Sequence, residues 1–143
     1  MKPEDFNFLF GAWAVLAMIV ALVIGLAIAA FICWLLVGNY RRIPEPFRVM
    51  DPAKVWFLLI PCAPLIWNFW VFPGLSRSFK AYFDSVNDTT VGDCNEKIGL
   101  WYSIACATSV IPCVGYITGV AALVLLIVYL IKANELKNRI PVT

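Results

Sequence analysis

A chain of 143 residues that is 62% hydrophobic and only 14% charged lies far from the composition of a soluble globular domain. Its mean hydropathy of +0.85 points instead to one compact all-α integral membrane domain over residues 1–143. The formal charge of +2 says little about partners, since basic residues in such a protein are placed by membrane topology, and no nucleic-acid partner is expected.

The first element is a helix over 8–38. Phe8 to Val37 carries no charge. At ~1.5 Å per residue the run measures roughly 45 Å, and about twenty apolar residues suffice to cross a bilayer. It is not expected to be a cleaved leader. Met1-Lys2-Pro3-Glu4-Asp5 lacks a basic n-region, and Val37-Gly38-Asn39-Tyr40-Arg41-Arg42 lacks a small-x-small site. Ala17, Ala21, Gly25, Ala29 and Cys33 recur at every fourth position, a stripe that lets backbones approach closely where lipid supplies no hydrophobic drive. The stripe is expected to form the closest helix–helix contact of the molecule, made to another chain, with packing inside the bundle as the plainer use.

Residues 40–54 read as an ordered basic surface loop, with Arg41, Arg42, Arg48 and Lys54 among three prolines. A second apolar segment, 53–72, is broken by Pro61 and Pro64, which remove backbone donors. At membrane depth the freed carbonyls need partners from protein or water. Residues 74–86 place Leu75, Phe79, Tyr82, Phe83 and Val86 on one face, which suits a helix lying in the interface plane or a plain extension of the second helix. An acidic, turn-rich connector, 87–94, leads to a helical hairpin over 95–138, turned at Ile111-Pro112-Cys113-Val114-Gly115. Small residues mark its first arm at Gly99, Ser103 and Ala107, and its second at Gly115 and Gly119.

Basic residues set the orientation: loop 40–54 is expected on the cytoplasmic side and the N-terminus outside. Four full spans would put Lys132, Lys137 and Arg139 outside, against the same rule. A re-entrant second segment, entering and leaving on one face, keeps all the basic residues but Lys2 cytoplasmic. Three or four transmembrane helices both remain open.

Arg42-Ile43-Pro44-Glu45-Pro46-Phe47-Arg48, then Pro52-x-x-Val55-Trp56-x-Leu58-x-Ile60-Pro61 and Leu65-x-Trp67-Asn68-Phe69, resemble a group of small bacterial multi-pass membrane proteins. Ser76-x-Ser78-Phe79-x-x-Tyr82-Phe83, Gly92-Asp93-Cys94, Ile111-Pro112-x-x-Gly115 and Tyr129-x-x-Lys132 are similar to that group too. The resemblance covers roughly residues 40–140. It implies a bacterial inner-membrane, multi-pass protein and carries no activity with it.

The chemistry inventory is mostly negative. Without histidine, the commonest metal ligand and general base are missing. Cys33, Cys62, Cys94, Cys106 and Cys113 show neither C-x-x-C nor metal spacing, and no phosphate loop or nucleophile elbow appears. No cofactor, metal site or enzymatic activity is expected. No charged residue falls in mid-helix, where one would mark a proton or ion path. Asn68 is the exception in kind. It reads either as an interhelical hydrogen bond, worth roughly 0.6 to 2 kcal/mol, or as a pore-lining amide opposite the break. Trp13, Trp56, Trp67, Trp70, Trp101 and Tyr102 read as interface anchors or packing residues. The expected function is a non-catalytic membrane subunit or self-associating structural component. Its partners are the lipid bilayer and other membrane-protein chains. The alternative is a small oligomeric channel or transporter with the Pro61/Pro64 segment at its pathway.

Overall fold

The computed structural model describes residues 2–60 and 62–141, and among them every regular element is helical. Helix α1 covers Pro3–Arg42, 40 residues and about 60 Å. Pro3 suits its first turn, Glu4 and Asp5 complement the positive end of its dipole, and Arg41 and Arg42 the negative end. It stops at Ile43 because Pro44 bars the residue before it from helical geometry.

The basic loop is a capping device. Arg48 turns back and donates to the carbonyls of Tyr40 (3.0 Å), Ile43 (2.7 Å) and Arg41 (3.0 Å) at the helix end, where the Tyr40 carbonyl also accepts from the Ile43 N–H. Arg42 reaches across the sequence and caps the last helix, donating from Nε and Nη2 to the Ile140 carbonyl at 3.3 and 3.0 Å. Two arginines of one motif thus close two helix C-termini, where cations are favoured.

The chain then enters a 3-10 segment, Pro52–Leu59, opened by Asp51 accepting from the Ala53 N–H. After a turn at 60–63 it returns as α2, Pro64–Ser85. The two arms run antiparallel: Trp67 Nε1 donates to the Lys54 carbonyl at 2.9 Å, and the Val49 N–H to Ser78 Oγ at 2.9 Å. The helix break therefore lies between a 3-10 arm and α2, with Pro64 as the first residue of the helix; Pro61 lies outside the described residues. Residues 53–72 are thus the 3-10 arm and the start of α2, two arms of a hairpin rather than one broken helix.

A second correction concerns 74–86. It is no separate interfacial helix, since α2 continues through Pro73 and Gly74. Leu75, Phe79 and Phe83 do share a face, but that face is buried in the protein core. Two tyrosines fasten α2 just before the proline: Tyr40 of α1 donates to the Val71 carbonyl at 2.7 Å and Tyr129 to the Phe72 carbonyl at 2.6 Å. Gly74 leaves room for the first of these, because a Cβ there would stand 3.1 Å from the Tyr40 hydroxyl.

A turn-rich connector leads to α3, Glu96–Thr108, which an Arg77–Glu96 ion pair ties to α2 at 2.7 Å. Within the connector Cys94 is buried, and burial pushes its thiol up to about 11, helped by Asp84 and Asp93. The native thiol thus keeps its proton where an unfolded thiol, with its ordinary value of 9.0, releases it. Stability from this group is complete below about pH 9 and lost as the pH rises through about 11. Alkaline unfolding followed by circular dichroism should show that loss, and Cys94→Ala should flatten it.

The turn 109–114 reverses the chain into α4, Gly115–Arg139, as the hairpin reading expects. Pro112 lies exposed in that turn. Gly115 is required there, since a Cβ would come within 2.7 Å of the Ser109 carbonyl oxygen. The core forms where α2, α3 and α4 meet: Phe72 stacks edge-on with Tyr102 and Tyr129, and Tyr129 also shares a hydrogen bond with Ser76 at 3.1 Å. Tyr129→Phe should therefore cost about 1–2 kcal/mol in detergent unfolding, because it strips one partner from a buried network.

The C-terminal ends of α1 and α4 lie together, with a cleft between Leu35 and Asn39 on one side and Leu130, Asn134 and Lys137 on the other. Arg139 reaches Thr90, and Arg77 reaches Glu96 at the same end. Only this end of α1 packs. Residues 2–28 are exposed throughout, and among the described residues no other part of the chain comes within 4 Å of a Cβ placed on Gly25. Ala17, Ala21 and Gly25 therefore make no internal helix contact, because the bundle is too short to reach them. Close approach occurs instead at Gly99.

Candidate functional site

On α2, Pro64, Leu65, Asn68 and Phe72 fall on one face at helical spacing. They floor a cavity of about 280 Å³ walled by Ala29, Ile32 and Cys33 of α1, by Leu58 of the 3-10 arm, by Tyr102 and Cys106 of α3, and by Ser109 just beyond it. Because the 3-10 arm and α2 separate at 60–63, α1 and α3 stand on either side of the α2 N-terminus without filling the space between them.

Asn68 is the polar centre of this cavity. It is only 3% exposed and makes no side-chain hydrogen bond among the described residues. A carboxamide carries two N–H donors and an acceptor oxygen, and burying them unpaired is unfavourable. The interhelical hydrogen bond expected of Asn68 is thus not made within the described chain. Neighbouring groups are already engaged: Cys33 Sγ lies 3.7 Å from the Val55 carbonyl, and Ser109 Oγ donates to the Cys106 carbonyl at 2.7 Å. No charged side chain lines the cavity. Chemically it can hold an apolar body that offers one neutral hydrogen-bonding group.

The remaining small residues are dispersed. Gly99 and Ser103 are buried on the far side of Phe72, and a Cβ on Gly99 would stand 3.0 Å from Tyr129 Cε2 and 3.1 Å from Phe72 Cβ. Ala107 is half-buried, and nothing lies within 4 Å of a Cβ on Gly119. Ala29 and Cys33, the last members of the α1 stripe, are the ones that reach the cavity. Sequence reasoning missed Cys106 and Ser109 as cavity residues, although with Tyr102 they repeat at helical spacing along one face of α3. It also missed the structural roles of Tyr40 and Tyr129.

Among the described residues no group of three or more Cys, Asp or Glu side chains gathers that could hold a metal ion. All five cysteines are free thiols. No family model, curated protein or solved structure matches this chain. By length and composition two helices, α1 and α4, are apolar enough to cross a membrane.

Proposed function

We propose that this chain is a non-catalytic subunit of a bacterial inner-membrane assembly, joined to its neighbours through the free stretch of α1. The observation that carries the reading is the exposure of residues 2–28. Residues 3–28 extend about 39 Å along the helix, and among the described residues nothing else of the same chain packs against them. Lipid covers such a helix on most of its circumference. The small face at Ala17, Ala21 and Gly25 suits a second helix better than lipid, since it permits close backbone packing.

In this arrangement the chain crosses the bilayer three times, by α1, by α3 with its following turn, and by α4. The hairpin over 52–85 is re-entrant. Support comes from the antiparallel pairing of its two arms and from the parallel run of α1 and α4, which brings Arg42 to the Ile140 carbonyl. The basic ends then share one face, the cytoplasmic one by the positive-inside rule.

Cysteine accessibility tests this directly, on a background with the native cysteines removed. A membrane-impermeant maleimide applied from outside should label a cysteine at Lys2 and miss cysteines at Arg48 and Lys137. Labelling at Lys137 would establish four spans, and labelling at Arg48 would invert the protein.

A further inference from the structure

We propose that the cavity around Asn68 binds an uncharged long-chain lipid whose polar group is a single hydroxyl or carbonyl. The proposal rests on the reading that this part of the chain lies within the bilayer. Asn68 is nine-tenths buried, faces the cavity and lacks a partner among the described residues, so the site is built with an open hydrogen-bonding position.

Depth selects the ligand. Asn68 precedes Arg77 on α2 by about 14 Å of helix, close to half the ~30 Å hydrocarbon thickness. A phosphate or carboxylate drawn to that depth would bury its charge, and no cationic side chain lines the cavity to compensate. A hydroxyl or carbonyl carries no such cost and matches a carboxamide as donor or acceptor.

Access and volume point the same way. The surface around the cavity is apolar, with Phe31, Trp34, Ile66, Phe69, Trp101 and Ile104 all exposed, so the ligand enters from the lipid phase. The cavity, about 280 Å³ and lined mainly by apolar side chains, takes part of a hydrocarbon chain and leaves the rest in lipid.

The test uses the purified full chain in bilayer nanodiscs, with hexadecanol carrying a mid-chain diazirine as the probe. Phosphatidylcholine carrying the same diazirine chain is the comparison. After illumination, hexadecanol should label peptides containing Leu58, Leu65 or Tyr102 saturably, and unlabelled hexadecanol should displace it. Asn68→Leu should reduce that saturable labelling at least tenfold, and Cys106→Phe, which fills the cavity, should abolish it. The phosphatidylcholine probe should label the free stretch of α1 equally in wild type and both variants. Cavity labelling that rises linearly with probe, or that persists unchanged in Asn68→Leu, would overturn the site while leaving the membrane reading intact. Cross-linking of the cavity residues to another chain would overturn it in favour of a protein occupant. Failure of the phosphatidylcholine probe to label α1 would overturn the membrane reading itself.

Discussion

Gly99→Leu should destabilise the bundle by about 3 kcal/mol, the upper end of what overpacking costs. The first added carbon already meets Tyr129 Cε2 at 3.0 Å, Phe72 Cβ at 3.1 Å and the Phe72 carbonyl carbon at 3.3 Å. The last of these is backbone and cannot swing away. The two rings are held as well, Tyr129 by its hydrogen bonds to Phe72 and Ser76 and Phe72 by edge contacts with Tyr102 and Tyr129. Relief therefore requires α3 to move away from both α2 and α4, which forfeits dispersion contacts along the seam. Titration with a denaturing detergent, read by circular dichroism, should show the transition at a much lower detergent fraction. Gly99→Ala should fall between the two.

Gly25→Leu should do the opposite. Among the described residues no other part of the chain lies within 4 Å of a Cβ at Gly25, so the same substitution leaves the bundle's unfolding curve where it was. Its expected effect is on assembly. A leucine at the centre of Ala17, Ala21, Gly25 and Ala29 holds a neighbouring backbone off by the width of a side chain, and the close contacts of several turns are lost together. In mild detergent the variant should migrate as a single chain with wild-type helicity, while wild type migrates as a larger species. Migration of Gly25→Leu with wild-type stoichiometry would show that this face is not the assembly surface.

The pair shows which features sequence alone can reveal. A stripe of small residues at every fourth position looks the same whether a helix packs on its own chain, on another or on lipid, so Gly25 and Gly99 read alike. Only the reach of the bundle separates them. The first helix read as 8–38 runs over Pro3–Arg42, because Pro3 fits its first turn and only Ile43-Pro44 stops it, whereas the α3–α4 hairpin around Pro112 was legible. The amphipathic face at Leu75, Phe79 and Phe83 was legible as well, but not what covers it. Residues 74–86 read as an interfacial helix or an extension of the second helix, and α2 runs on through Pro73 and Gly74. Tyr40 and Tyr129, which fasten α2 just before Pro73, are 31 and 57 positions from the carbonyls they meet, and no local pattern encodes such contacts. Asn68 stood out as a lone amide among aromatics. The cavity around it depends on how far the 3-10 arm and α2 diverge after residue 60, which is a property of packing.

Disulfide cross-linking along α1 in native membranes tests most directly the proposal that a neighbouring chain lies against its free stretch. Single cysteines at Ala17, Ala21 and Gly25, on a background lacking the native cysteines, should each form cross-linked species between chains on mild oxidation. Cysteines at Ile19 and Val23, on the opposite face, should not. Equal cross-linking on both faces, or none at any of the five positions, would contradict the assignment of α1 as the assembly helix.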